Sequence, residues 1–341
     1  MDPKRFDGLK SQIARSLSLE QCIELETVIG RILSERAGEA AITKKAGQIA
    51  ESGTCPRCGC TKVTKHGRDA RGVQRFRCSP TSGCGKIFNP LTGTPLARMR
   101  KSHAWMAYAR GMTRLLSLDD MVVHVPEISR VTAWRWRYRF LELMASRQAE
   151  TIGGIVEVDE THFLRAFKGH RGWKRGKAPE NRPPRYRGEG ALLRGLSGQQ
   201  VPVLTAIDRA GRRVEEVLPS RTAGAIGSVL NHRIEPKTIL CTDGLAAYRS
   251  VASATGAEHR VIQFQQPSPV QKAIGLPPRT SGVLTLGRVN GVHARMKAII
   301  NHRFRGVSTH RLPLYMGWIR QHDADATNAI AFIETAIRSH N

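Results

Sequence analysis

Five of the seven cysteines lie within one thirty-residue stretch, and this cluster constrains the fold more than any other feature of the chain. The surrounding segment, 53–92, is rich in Gly, Lys and Arg and contains no long apolar run. Such a segment cannot bury enough apolar surface to fold unaided. Because clustered thiols in a basic, reducing context favour metal over disulfides, we predict a small domain that is held together by a metal ion.

Two pairs of thiols form the predicted ligand set: Cys55, Cys58, Cys78 and Cys84. Four thiolates complete a tetrahedral zinc shell and leave no open position for catalysis, so we expect a structural, DNA-contacting zinc ribbon. The second pair is unusual, since five residues separate its members instead of two to four. Cys60 or His66 is therefore an alternative ligand, and a set of scattered buried thiols is the alternative to a metal site.

The net charge indicates a polyanionic partner. The chain has 54 Lys plus Arg against 28 Asp plus Glu, a formal charge of +26. Neutralising phosphates releases counterions, so such an excess favours nucleic acid. The N-terminus has no apolar signal core, and no stretch approaches the roughly 18 apolar residues of a membrane span. We therefore expect a cytoplasmic protein that binds nucleic acid and no membrane.

A chain of 341 residues is long enough for two or three domains. After Gly153 and Gly154 the helical pattern changes to three strands, a helix and then strand–helix units, which predicts an α/β domain with a mixed sheet. The predicted regions are a helical region 1–50, a zinc ribbon 51–95, a helix-turn-helix-like DNA-binding region 96–150, an α/β domain 151–325 with a basic insertion 164–198, and a tail 326–341.

The region before the α/β domain predicts a helix-turn-helix, with a turn around Val125 and Pro126 and a second helix capped by Ser129. In that second helix one stripe is predicted to face the core: Val131, Trp134, Tyr138 and Leu141. The arginines off this stripe are predicted to contact DNA: Arg130, Arg135, Arg137 and Arg139. The alternative is an ordinary amphipathic helix with a solvated basic side.

Two aspartates end apolar strands, Asp159 after IVEV and Asp243 after ILCT. Carboxylates that a sheet brings together repel, and a divalent cation resolves this conflict, so we predict a Mg²⁺ or Mn²⁺ site for phosphodiester chemistry. By strand alternation Glu157 shares the face of Asp159 and is the nearer substitute, whereas Glu160 does not. The alternatives are a strand-end hydrogen-bond acceptor for Asp159 and a turn residue for Asp243.

Several motifs occur together between residues 50 and 320: CPRC, FNPLTGTPL, TAWRWRYRFLE, VDET, CTDG, RVNGVHARMK and FRGVSTHRLPLYMGW. In this order they resemble the ISXO-like branch of bacterial insertion-sequence transposases. The resemblance implies a multidomain protein in which an N-terminal zinc ribbon and a helix-turn-helix region precede a catalytic domain of ribonuclease H-like fold.

The resemblance also implies a third metal-site residue on a C-terminal helix, Glu in some members and Asn in others, with a Lys seven residues later. Asn290 and Lys297 match this arrangement, and seven residues put both side chains on one helix face. Lys297 is then a contact to the scissile or adjacent phosphate. Asn290 is alternatively a helix N-cap, and His293 ranks below it because a neutral imidazole is a poor Mg²⁺ ligand.

The basic insertion departs from the family pattern, with ten Arg or Lys residues against Glu180 and Glu189. We predict a mobile loop that orders on DNA, and a solvated linker is the alternative. The predicted DNA contacts in this segment are Lys168, Arg171, Lys174 and Arg175.

By resemblance, the protein is expected to cut the 3′ ends of its own element by metal-dependent hydrolysis and to join them to target DNA. It would then act as a homo-oligomer on DNA at the bacterial nucleoid. Two other functions fit the same residues: a structure-selective nuclease that cuts without joining, and a zinc-ribbon DNA-binding regulator with a decayed catalytic domain.

Overall fold

The computed structural model describes residues 2–145, 148–172, 175–179, 189–190, 197–262 and 284–324, together with positions 329, 333 and 336. The chain divides into two compact units, Met1–Leu143 with Asp325–Asn341, and Met144–Ala324. Within the described ranges, every helix is too short or too polar to cross a membrane.

The first unit begins with two helices, α1 (Pro3–Ser16) and α2 (Leu19–Ser52), in agreement with the predicted helical character of the N-terminal region. Ser18 starts α2 through a capping box. Its hydroxyl accepts the N–H of Gln21, and the Gln21 side chain accepts the N–H of Ser18. Gly53 ends α2 with a left-handed φ of 63°.

The cysteine-rich segment forms a small antiparallel sheet of β1 (Val63–Arg68), β2 (Gln74–Cys78) and β3 (Ile87–Phe88). Its apolar core consists of little more than stacked Phe76 and Phe88, whose ring centroids are 5.8 Å apart, with Ile49 of α2 and the cysteines around them. So small a core agrees with the expectation that a metal has to support this fold.

Three further helices follow: α3 (Trp105–Thr113), α4 (Leu118–His124) and α5 (Arg130–Ala145). The structure has the helix, turn and helix where the sequence predicted them, and the Ser129 hydroxyl accepts the N–H of Thr132 at 3.2 Å as a cap.

The predicted core stripe of α5 is wrong in its first turn, although Leu141 is buried as predicted and Tyr138 is half-buried. Val131 and Trp134 are 59% and 44% exposed, and the buried stripe consists of Ala133, Trp136, Arg137, Phe140 and Met144. Tyr108 of α3 decides this orientation. Its hydroxyl donates to the Ala133 carbonyl at 2.5 Å, and its ring contacts the rings of Trp136 and Phe140.

The second unit contains a five-stranded mixed sheet, as predicted. Its strands are β4 (Ile155–Leu164), β5 (Gln200–Asp208), β6 (Arg213–Val217), β7 (Ile239–Thr242) and β8 (Glu258–Val261). Their order is β6-β5-β4-β7-β8. The β6–β5 and β5–β4 pairs are antiparallel, and the β4–β7 and β7–β8 pairs are parallel.

Helices cover both faces of this sheet. On one face α6 (Ala223–Leu230) and α7 (Ala247–Thr255) pack on a core that includes Val156 and Val158. On the other face α8 (Gly287–Lys297) packs over Ile155 and Cys241. The chain continues through a short π-helix (Ala298–Arg303) and a 3₁₀ turn to α9 (Leu312–Ala324). Alternation along β4 therefore directs Glu157 and Asp159 to the α8 face.

Candidate active site

Pairing of two parallel strands brings Asp159 and Asp243 together. Glu157 of β4 lies opposite Cys241 of β7. Asp159 and Asp243 each follow two residues later, so the same register places them side by side on the α8 face. Neighbouring strands are about 4.8 Å apart, which puts both carboxylates within reach of one site.

Asp243 also shapes the turn that follows β7. Its Oδ1 accepts the N–H of Leu245 at 3.0 Å. Gly244 has a φ of 92°, and a Cβ at this position would lie 2.8 Å from Val261 Cγ1, so only glycine fits. The turn interpretation of Asp243 is therefore correct. It is compatible with a ligand role, because the side chain is exposed and this hydrogen bond uses Oδ1 alone.

Asp159 is the more perturbed of the two carboxylates. Burial, together with the negative charge of Asp243, raises its pKa to about 6. Only 21% of the side chain is exposed. A divalent cation would remove both penalties, and carboxylate oxygens are the ligands that Mg²⁺ and Mn²⁺ prefer.

Glu157 has a different role from the one the sequence predicted. It is fully buried, and its Oε2 accepts the N–H groups of Arg288 and Val289 at 2.8 and 3.1 Å. Its Oε1 accepts from Arg209 at 2.7 Å and from Thr285 at 3.2 Å. Both oxygens are thus occupied in anchoring the start of α8, where a negative charge also complements the helix dipole.

This anchor fixes the face of α8 that carries the other predicted residues. Asn290, His293 and Lys297 follow at i, i+3 and i+7, on one stripe of the helix. Asn290 is the fourth residue of α8, whereas Leu286 occupies the N-cap position, so the alternative that Asn290 is an N-cap is wrong. Asn290 and Lys297 are both exposed.

His293 is the residue of this stripe that contacts an aspartate. Its Nδ1 lies 3.6 Å from Asp159 Oδ2, its side chain is 8% exposed, and its buried Nε2 has no hydrogen-bond partner. Burial, assisted by the positive charge of Lys297, lowers the pKa of His293 to about 4. The imidazole is therefore neutral at neutral pH and leaves the charge of Asp159 uncompensated.

Glu160 points to the opposite face of the sheet, as alternation predicted. It accepts the Tyr248 hydroxyl at 2.6 Å and lies 3.4 Å from Arg221 Nε. Burial raises the pKa of Glu160, and the Tyr248 hydrogen bond opposes this shift. These two partners could not be predicted from the sequence, because neither belongs to a periodic pattern that includes Glu160.

The second candidate metal site is the thiol cluster. The ligand atoms of Cys55, Cys58, Cys78 and Cys84 all lie within 4.8 Å of one another. The Cys55–Cys84 and Cys58–Cys78 sulfur distances are 3.8 and 3.7 Å. Tetrahedral zinc with bonds of about 2.3 Å separates its sulfurs by about 3.8 Å, so these residues fit zinc.

Cys60 lies outside this set. Its sulfur is 3.7 Å from the Ser82 hydroxyl and accepts the N–H of Lys62. Within the thiol set, backbone N–H groups of Cys60 and Cys84 lower the pKa of Cys58 to about 6, which favours the thiolate that a metal binds. In the described ranges, this is also the one group of three or more His, Cys, Asp or Glu side chains already at metal-sharing distance.

Two of the four arginines predicted to contact DNA from α5 hold internal carbonyl groups instead. Arg137 is 2% exposed and donates to the Leu116 carbonyl at 2.7 Å. Its prediction as a DNA contact is wrong, because the helix orientation buries it. Arg139 is half-buried and donates from Nη1 to the carbonyls of Pro95 and Ala97.

The exposed side of α5 carries Arg130, Val131, Trp134 and Arg135. Arg130 Nη1 lies 3.1 Å from Asp119 Oδ1. This side combines cationic, aromatic and aliphatic groups, which is the mixture that reads DNA backbones and base edges.

The basic insertion is described only in part. Lys168 donates to the carbonyls of Arg305 and Gly306 at 3.1 and 2.9 Å, so its ammonium is engaged within the domain. Arg171 and Arg175 are exposed. Lys174 lies outside the described residues, as do residues 173, 180–188 and 191–196 of the predicted mobile loop 164–198.

The second unit is thus an α/β domain in which a mixed sheet places two aspartates beside a helix, and the first unit adds a thiol cluster that fits zinc. Residues 151–319 match the family model of the ISXO2-like transposase domain. The chain therefore carries an ISXO2-like transposase domain, and the resemblance predicted from the motifs is confirmed.

A comparison with curated proteins finds no match. Among solved structures, a similar chain comes from the cryoEM structure of the simian T-cell lymphotropic virus intasome in complex with PP2A regulatory subunit B56 gamma. The match has 12% identity and a TM-score of 0.28, and it covers 62% of this chain and 67% of that one.

Proposed function

We propose that this protein is the DNA transposase of an insertion sequence, which cuts the 3′ ends of its element with water and joins the resulting hydroxyls to target DNA. The observation that carries the proposal is the placement of Asp159 and Asp243 on adjacent strands within an ISXO2-like transposase domain.

The proposal includes the finer architecture. A mixed sheet with helices on both faces supports a ribonuclease H-like fold for 151–325. Ahead of it we propose a helical region 1–50, a zinc ribbon 51–95 and a helix-turn-helix-like DNA-binding region 96–150, with a tail at 326–341. The thiol geometry supports zinc as the ribbon's ion.

The residues proposed to hold Mg²⁺ or Mn²⁺ are Asp159, Asp243 and Asn290. When bound, the cation activates a water or 3′-hydroxyl and stabilises the leaving oxygen. Glu157 sets the position of α8, and hence of Asn290, through its bonds to the first turn. Lys297, exposed two turns along the same stripe, is proposed to bind a phosphate of the DNA.

His293 is proposed as a positioning residue for Asp159. It lies between Asn290 and Lys297 on the stripe and limits where the Asp159 carboxylate can turn. Because it is neutral, it does not compete with a cation for that carboxylate.

DNA is the proposed partner, bound by exposed arginines of α5 and of the insertion: Arg130, Arg135, Arg171 and Arg175. A transposase acts on two element ends, so we also propose self-association on DNA. These functions place the protein in the bacterial cytoplasm, at the nucleoid.

The test is a cleavage and strand-transfer assay with labelled element ends. Asp159→Asn and Asp243→Asn keep the side-chain volume and remove one charge each. We expect each to reduce both cutting and joining by at least about a thousandfold, since metal catalysis supplies several kcal/mol, while duplex binding persists. Mn²⁺ binding, followed by electron paramagnetic resonance, should weaken in parallel.

Glu258→Gln is the matched control, because it neutralises an exposed carboxylate on β8 of the same sheet. It should leave both reactions unchanged. Full activity of the two aspartate variants would contradict the site. Cutting without joining in the native protein would identify a nuclease, and DNA binding without either reaction would identify a regulator.

A further inference from the structure

A cleft lined by arginine side chains opens on the small sheet domain. Its volume is 570 Å³. Arg57 contributes from the CPRC loop, Arg71 from the β1–β2 turn, Arg75 from β2 and Arg98 from the loop after β3. Asp69 is the acidic residue of the lining, so the cleft carries a net positive charge.

A second cavity of 550 Å³ continues the first, since Arg71 and Arg98 line both. Arg100 and Lys101 extend its basic lining, although the Lys101 ammonium already donates to the Glu127 carbonyl. The two cavities together make a basic track that is too long for a single phosphate ion.

The loop after β3 holds Arg98 in the cleft wall. Leu96 and Met99 are almost fully buried on either side of exposed Arg98. Arg98 has a φ of 61°, a left-handed conformation that is strained for a non-glycine residue. The Arg139 guanidinium, bound to the carbonyls of Pro95 and Ala97, supports this conformation from the interior. Strain that is maintained in this way is typical of a ligand-binding loop.

The charges of the lining are largely uncompensated. Arg71 Nη2 lies 3.6 Å from Asp69 Oδ2, while Asp69 Oδ1 accepts the N–H groups of Arg71 and Val73. Within the described part of the chain, Arg57, Arg75 and Arg98 form no ion pair, and the buried Nε of Arg75 has no hydrogen-bond partner. A buried donor without an acceptor, together with converging positive charges, indicates an anionic ligand.

We propose that this cleft binds the sugar–phosphate backbone of double-stranded DNA. Guanidinium groups bind phosphates through paired N–H donors, and the track offers several along its length. Ile87, which is 45% exposed at the edge of the cleft, supplies apolar surface that suits a deoxyribose and does not suit a free anion. The identification of the ligand as DNA rests on the proposed function, whereas the experiment below measures duplex binding alone and needs no catalytic activity.

The experiment measures binding of a fluorescent duplex by the full-length, zinc-loaded protein over a series of salt concentrations. The double variant Arg71→Ala/Arg98→Ala should bind on the order of tenfold more weakly. The slope of log K against log salt should fall in magnitude by about 2, because each lost phosphate contact removes about 0.9. Arg71→Lys/Arg98→Lys, which keeps both charges, should retain most of the slope.

Lys65→Ala/Lys86→Ala is the matched control. Both lysines are exposed on the same small sheet domain, and neither lines the cleft. This variant removes two positive charges, as the arginine double variant does. Zinc content and circular dichroism check that each variant is folded. Equal losses in the arginine and lysine pairs would overturn the proposal in favour of a diffuse charge effect. Tight binding of inorganic pyrophosphate, with duplex binding unchanged by the arginine pair, would overturn it in favour of a free-anion site.

The outcomes separate this inference from the proposed function. Loss of binding in the arginine pair with active Asp159 variants would support the cleft and contradict the catalytic site. Normal DNA binding in the double arginine variant, together with inactive Asp159 variants, would contradict the cleft and support the catalytic site.

Discussion

The thiol cluster and the aspartate pair are both suited to metal, yet they differ in how closely their ligand atoms already match the geometry of a bound ion. The thiol sulfurs already lie at 3.7 and 3.8 Å, close to the separation in a zinc tetrahedron. The aspartates occupy adjacent strands, but no third carboxylate, His or Cys in the described ranges joins them at ion-sharing distance.

Charge explains the difference. A protonated thiol is neutral and packs with apolar groups, and burial raises the pKa of Cys55 and Cys78, which belong to the domain's core. Carboxylates ionise near pH 4, and two of them at one place repel. A structural site can therefore be part of the core, whereas the aspartate site has to remain open to solvent, substrate and cation.

The largest expected effect concerns the thiol site. Cys78→Ser should release the zinc and unfold 53–92, because binding of structural zinc contributes on the order of 10 kcal/mol and the apolar core is small. Zinc content by mass spectrometry and proteolysis of the segment measure the result. Cys60→Ser is the matched control, since its sulfur lies outside the set, and it should retain one zinc per chain. Retention of zinc by Cys78→Ser would contradict the assignment.

The next effect concerns the anchor of the aspartate site. Glu157→Gln removes the charge that accepts four donors, including the first N–H groups of α8. Loss of one partner from a buried charged network typically costs about 3–5 kcal/mol. Hydrogen exchange of the α8 amides should therefore accelerate by at least about a hundredfold, and Mn²⁺ binding should weaken. The α8 amides of the control variant Glu258→Gln should exchange at the wild-type rate. If they also did so in Glu157→Gln, packing alone would hold α8.

Much of the aspartate site could be predicted from sequence because strand geometry is simple. Alternation correctly separated Glu160 from Asp159, and the ends of two apolar runs marked neighbouring strands. The role of Glu157 could not be predicted in this way. It depends on the contact of a buried carboxylate with a helix that begins 130 residues later, and no local pattern records such a contact.

The orientation of α5 shows a second limit. The helix carries two apolar stripes, one with Val131 and Trp134 and another with Ala133, Trp136 and Phe140, and periodicity does not rank them. The contacts of Tyr108 select the second stripe, and this choice buries Arg137. Sequence therefore located the helix, and the packing of a neighbouring helix determined which arginines reach the surface.

The smallest effect is a pH dependence of cation binding at the aspartate site. Burial raises the pKa of Asp159 to about 6, so the folded protein without a cation holds a proton there at pH 5, and a cation has to displace it. The affinity for Mn²⁺ should rise about tenfold from pH 5 to pH 7, with the larger part of the rise below pH 6, and level off above pH 7. His293, whose pKa burial lowers to about 4, stays neutral over this range and adds no second proton.

The same shift affects stability with the opposite trend. The folded pKa of Asp159 exceeds that of the unfolded chain, so its contribution to stability is present below about pH 4 and is lost as the pH rises through 6. Mn²⁺ should restore that loss at pH 7 and have little effect at pH 5, which thermal unfolding with and without the cation measures. In Asp159→Asn both the binding profile and the cation's stabilisation should become flat. A wild-type affinity that does not change between pH 5 and 6 would mean that the Asp159 carboxylate is already ionised at pH 5. The aspartate site and the thiol site would then differ less in their preparation for a metal ion than their geometry indicates.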